Sequence, residues 1–125
     1  MQTSNSYSHD RIQQEVFNYA WNKYPETRMC MWHTPNEYTP HAKETQAETL
    51  KRLSERKRIG VVKGVLDLAF YWKNILYILD VKIGNDTLSE AQLLFIECIC
   101  KQGGKFYEIN SVDHGKNIID EIMSN

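Results

Sequence analysis

Gly64-Val65-Leu66-Asp67-Leu68-Ala69-Phe70-Tyr71-Trp72, then Lys73-Asn74, then Ile75-Leu76-Tyr77-Ile78-Leu79-Asp80-Val81-Lys82, is the most apolar stretch of an otherwise polar chain. Both flanks are rich in β-branched and aromatic residues and meet at a polar break, the pattern of two strands joined by a turn. If Lys73-Asn74 is a two-residue turn, Trp72 faces Ile75. Pairing outward one residue at a time then sets Asp67 opposite Asp80, with Cβ atoms about 5 Å apart. Lys82, two residues further on, projects from the same face. Two carboxylates directly opposite each other repel and weaken the pairing. A break of this kind in a central hairpin has two readings. In one, a divalent cation relieves the repulsion, since carboxylate oxygens are hard ligands suited to Mg²⁺ or Mn²⁺. In the other, one Asp lies at the sheet edge in water and its neighbour pairs with Lys82.

The length of 125 residues predicts a single domain, 1–125, with a polar, frayed N-terminus over 1–9. Hydrophobic residues make up 42% and charged residues 25%, the balance of a globular domain rather than a disordered or fibrous chain. No apolar run is long enough to span a membrane and no secretory pattern opens the chain. The three cysteines (Cys30, Cys98, Cys100) lack framework spacing, which fits a reducing, cytoplasmic compartment. The four histidines add no zinc-type spacing. The net charge of −1 does not announce nucleic acid, but its distribution is uneven. Lys51, Arg52, Arg56, Lys57, Arg58 and Lys63 run into the hairpin against one acid, Glu55. Such a run is either a set of phosphate contacts or the solvated face of a helix.

Outward from the hairpin, the chain alternates helix and strand. Asp10 is placed to cap a helix reaching Tyr24, with Ile12, Val16 and Ala20 as its apolar line, Phe17, Trp21 and Tyr24 widening it, and Glu15 beside it. Pro25 ends that helix. Arg28 to His33 reads as a short strand, broken by Thr34-Pro35-Asn36. Thr39-Pro40 has the form of an N-cap and first helical position, predicting a polar helix to about Lys57 with Gly60 as its stop. Ser89-x-x-Gln92 is a capping-box pattern opening a helix to Lys101. Leu93, Leu94, Phe95, Ile96 and Ile99 make this helix apolar enough to pack on the sheet, with Gln92 turned inward. After Gly103-Gly104 come a strand over 105–109 and a terminal helix started by Ser111 or Asp113, carrying Ile118, Ile119 and Ile122. The order is α-β-α-β-β-α-β-α. A helical crossover between the second hairpin strand and the last strand makes those two parallel. The prediction is an α/β (α+β) fold: a mixed central sheet with helices packed on it.

Asp67, followed by Asp80-Val81-Lys82 across a hairpin, resembles the metal-site pattern of the PD-(D/E)XK nuclease superfamily, which has a restriction-endonuclease-like fold. Gly64-Val65-Leu66-Asp67-Leu68, Leu88-Ser89-x-x-Gln92, Gly103-Gly104 before a strand, and Ile12-Gln13-Gln14-Glu15-Val16-Phe17 recur with it in order. Together they are similar to the stand-alone VRR-NUC proteins of bacteriophages and prophages, over about residues 10 to 122. The Asp67 to Gln92 core also resembles the nuclease domain of the Fanconi-associated nuclease. The resemblance implies Mg²⁺- or Mn²⁺-dependent DNA endonuclease activity, directed to branched DNA such as Holliday junctions, by a homodimer in the bacterial host cytoplasm. It implies that Asp67, Asp80 and the main-chain carbonyl of Val81 hold the metal, that Glu15 completes the shell, and that Lys82 acts on the attacking water. It places Gln92 near the site, and Asn36 in the family's Pro-Asn turn. Arg56, Lys57, Arg58 and Lys63 would supply phosphate contacts. The chain departs from the family in carrying Asp80 where Glu is usual, Leu66 where Pro is usual, and Glu37-Tyr38 where glycines often follow the Pro-Asn pair. A non-catalytic DNA-binding module on the same fold is the alternative.

Overall fold

A computed structural model of the chain describes residues 8–34, 43–59, 62 and 64–125. Its elements are α1 (His9–Lys23), a 3₁₀ turn (Pro25–Thr27), β1 (Met31–His33), α2 (Gln46–Arg58), β2 (Leu68–Trp72), β3 (Ile75–Val81), α3 (Glu90–Lys101), β4 (Lys105–Ile109) and α4 (Val112–Met123). The predicted order is therefore observed, with the 3₁₀ turn added after Pro25. The four strands lie in the order β1-β2-β3-β4; the first two pairings are antiparallel and β3–β4 is parallel.

The hairpin has the predicted register, Trp72 opposite Ile75 through Leu68 opposite Leu79. Lys73 and Asn74 both have positive φ, 50° and 68°, the requirement of a two-residue turn whose twist matches the strands. That turn sets which side chains share a face. Leu68, Phe70, Tyr77, Leu79 and Val81 point into the main core with Ile12, Val16 and Ala20 of α1 and Ile118, Ile119 and Ile122 of α4. Gly115 of α4 lets the two helices meet. A Cβ there would lie 2.3 Å from Val16 Cγ2, so any side chain at that position would have to push α1 away. The C-terminal half of α1 is also tied to α4 by Asp120, which accepts hydrogen bonds from Tyr19 Oη (2.8 Å), Tyr24 Oη (2.6 Å) and Lys23 Nζ (3.2 Å).

The start of α1, the start of α2 and the burial of α3 differ from the sequence expectations. α1 is capped by Ser8, whose side chain accepts from the Arg11 N–H; Asp10 sits in the first turn instead, and His9 belongs to the helix rather than to a frayed end. α2 starts at Gln46 under a capping box formed by Thr45 and Glu48, later than Thr39-Pro40; that pair and Gly60 lie outside the described residues. α3 has its Ser89–Gln92 capping box, but no residue of it is fully buried. Leu93 and Leu94 are 53% and 61% exposed, so only the Phe95, Ile96 and Ile99 side of this helix turns toward the sheet. Five apolar residues in a run of seven exceed what one helix face can hide.

Candidate active site

The open end of the hairpin brings Asp67, Asp80 and Lys82 together. Asp67 lies just before β2, and the backbone there bends so that its carboxylate Oδ2 accepts the Val81 N–H at 2.9 Å. In return, the Asp67 N–H donates to Asp80 Oδ1 at 3.3 Å. Each acid thus grips the other strand's backbone beyond the last ladder pair.

Asp80 is the unusual member. Its side chain is 1% exposed, where an ionised carboxylate is costly unless well compensated. Lys82 Nζ stands 3.2 Å from Asp80 Oδ2, close enough for an ion pair but off hydrogen-bond geometry, and that oxygen is buried without a hydrogen-bond donor. Burial, followed by the charge of Asp67, pushes the Asp80 carboxyl up from 3.8 to about 6, with Lys82 pulling the other way. A buried carboxylate oxygen ion-paired to Lys82 and set beside a second carboxylate suits a hard divalent cation. These donors therefore fit Mg²⁺ or Mn²⁺. Among the described residues, no three His, Cys, Asp or Glu side chains are grouped as a ready-made metal cage. Any metal here relies on the two carboxylates plus main-chain and water oxygens.

The remaining expected residues fall as follows. Gln92 spends its side-chain carbonyl on the Ser89 N–H (2.9 Å), as the capping box requires. The start of α3 is nevertheless held close to the site. Gly64, at φ +93°, packs so tightly on it that a Cβ would meet Ala91 O at 2.4 Å. Glu15 pairs with Arg11 Nε at 3.2 Å and lines a surface cleft with Asn18, Tyr19, Lys23 and Lys116. Lys57 and Arg58 are exposed in the last turn of α2, and Arg56 is half-buried. Arg52 of the same basic run is tied to Glu44 at 2.9 Å. Asn36 and Lys63 lie outside the described residues.

Sequence reasoning missed four side chains around Asp67 and Asp80. His9 Nε2 reaches Asp67 Oδ2 at 2.9 Å. His33 Nδ1 lies 2.8 Å from the Asp67 carbonyl, which also accepts the Thr34 N–H, and Gln13 Nε2 lies 2.9 Å from the same ring nitrogen. Glu108 is the register partner of Asp80 on β4 and is exposed. Had Ser8 been taken as the cap of α1, His9 and Gln13 would have stood one turn apart on one side of the helix. Glu108 had no sequence signal, because a parallel register is not set by a turn. Beside Asp67, a cleft of about 320 Å³ opens between α1 and the sheet, lined by Asp10, Gln13, Gln14, Phe17, His33 and Leu68.

The mixed four-stranded sheet, the antiparallel hairpin carrying both acids and the helical crossover define a restriction-endonuclease-like α/β fold. Among solved structures the chain superposes on one described as a "VRR_NUC domain protein", with a TM-score of 0.73 and 19% sequence identity, over 94% of this chain and 89% of that one. At that identity the likeness shows a shared fold. No protein-family model and no curated protein matches the sequence.

Proposed function

We propose that the chain is a VRR-NUC-type member of the PD-(D/E)XK superfamily: a Mg²⁺- or Mn²⁺-dependent DNA endonuclease that hydrolyses phosphodiester bonds in branched DNA. The observation that carries this reading is Asp80, a carboxylate buried directly beside Asp67 and Lys82. A structural role alone would have favoured a neutral residue at that position, because the opposed charges work against the hairpin. The neighbouring structure's name and its shared fold point the same way.

In this reading Asp67 and Asp80 hold the cation, with the Val81 main-chain carbonyl as a third oxygen. When bound, the cation supplies Lewis acidity at the phosphoryl oxygen and lowers the pKa of a coordinated water. Lys82 orients the attacking water and offsets charge developing on the phosphate. The Val81 N–H holds Asp67, and the Asp67 N–H holds Asp80, so both acids are positioned before substrate arrives. Lys57 and Arg58 contribute sequence-independent phosphate contacts from the end of α2. For the assembly we take a symmetric homodimer, for which the exposed Leu93 and Leu94 of α3 offer apolar surface. Light scattering of the purified protein tests that.

The decisive experiment incubates the protein with Holliday-junction, flap and linear duplex DNA in Mg²⁺, Mn²⁺ or chelator. Metal-dependent cleavage that is strongest on branched DNA and lost in Asp80→Ala and Lys82→Ala is expected. Cleavage that survives both substitutions would remove the site from this hairpin. Binding without cleavage in either metal would favour the non-catalytic module.

A further inference from the structure

The Asp67 carboxylate is approached from a direction the sequence pattern does not reveal. Two nitrogens converge on one of its oxygens: Val81 N, which donates a hydrogen bond, and His9 Nε2, in close polar contact, each 2.9 Å from Oδ2. The backbone of the same residue is fixed as well, since the Asp67 carbonyl accepts the Thr34 N–H at 3.0 Å and lies 2.8 Å from His33 Nδ1. α1 and β1 therefore bracket Asp67 from the side opposite its hairpin partner. The His9 side chain is 36% exposed and that of Asp67 19% exposed, so the contact sits at the lip of the site rather than in the core.

From this geometry, and resting on the metal-dependent reading above, we infer that His9 is a positioning residue that sets the Asp67 carboxylate for cation binding. With Oδ2 engaged by the Val81 N–H and the His9 ring, the carboxylate's other oxygen is the one offered to a cation. Hydrogen-bonded outer partners of this kind orient carboxylate ligands and raise metal affinity by about tenfold to a hundredfold. Glu15, the acid of α1 that the family pattern points to, is occupied with Arg11; His9, one helical turn earlier than Gln13, is the α1 side chain that touches the carboxylate pair.

The test is Mn²⁺ titration by calorimetry on the full chain, comparing wild type with His9→Ala and His9→Gln. Alanine at the first helical position keeps α1, and urea unfolding without metal checks that each variant is folded. His9→Ala is expected to weaken Mn²⁺ binding by about tenfold to a hundredfold. His9→Gln, whose amide keeps an N–H donor at comparable reach, is expected to recover most of that loss. The Mn²⁺ concentration for half-maximal cleavage should rise in parallel, while kcat at saturating Mn²⁺ falls much less. Wild-type-like Mn²⁺ affinity in a folded His9→Ala overturns the inference alone. A wild-type protein that takes up no Mn²⁺ overturns it together with the metal-dependent reading. Pulsed EPR showing a His9 nitrogen bound directly to Mn²⁺ overturns the positioning role in favour of a ligand.

Discussion

Two aspartates in this chain are surrounded in opposite ways. Asp120 is saturated: two tyrosine hydroxyls and one ammonium donate to it, and these donors, Tyr24 foremost, hold its carboxyl below the usual range. Its ionised form is the favoured one, and it bonds α1 to α4. Asp80 is buried among fewer donors than it can use, and its carboxyl is pushed up to about 6. Its ionised form destabilises the fold. The first aspartate contributes to stability, whereas the second takes stability away.

The largest effect that would sharpen the contrast is on cleavage. Asp80→Asn should reduce the rate by about a thousandfold, the equivalent of several kcal/mol of metal-linked transition-state stabilisation. A gel assay at saturating Mn²⁺ reads this. The same substitution should raise stability without metal. Between the unfolded pKa near 3.8 and the folded value near 6, the native protein binds more protons than the unfolded chain, so stability falls as pH rises through that window. The loss is on the order of 3 kcal/mol by pH 8, and urea unfolding of wild type from pH 4 to 8 should show it. Asp80→Asn should flatten that part of the profile. An Asp80→Asn variant less stable than wild type at pH 8 would break the comparison.

Asp120→Asn should do the reverse: a lower Tm, with cleavage retained. Because its pKa is lowered, the contribution of Asp120 is present above the ordinary carboxyl range and is lost as pH falls through its folded value. Acid unfolding of Asp120→Asn should therefore be less steep than that of wild type. The smallest effect concerns neither acid. Lys57→Ala or Arg58→Ala should leave Tm and kcat alone and reduce the slope of log affinity against log salt by about 0.9 each, measured by DNA binding.

The hairpin was legible because one local device, a two-residue turn, fixes every pair outward to the open end, and strand alternation then assigns the faces. Asp67, Asp80 and Lys82 followed from counting. The parallel placement of β4 followed from the length of the connection. Contacts between elements distant in sequence were not legible. His9 looked like part of a polar tail, since the apolar line of α1 begins only at Ile12. Glu108 beside Asp80 depends on a register no turn dictates. The start of α2 was open to reading, because Thr45-x-x-Glu48 is a capping-box pattern, but the thin apolar stripe gave no reason to prefer it over Thr39-Pro40. Leu93 and Leu94 show the converse failure: apolar composition predicted burial that this single chain does not provide.

The Lys73-Asn74 turn also orders events in time. A hairpin closed by a two-residue turn forms in about 1 to 10 μs, whereas β4 must wait for α3 to fold and cross over before it can add beside β3. The hairpin therefore zips from its turn toward its mouth, and the segment beyond its last ladder pair, where Asp67 and Asp80 each accept an N–H from the other side, is the last to close. Asp67 and Asp80 therefore meet after the pairs nearer the turn have formed and while the sheet around them is still incomplete.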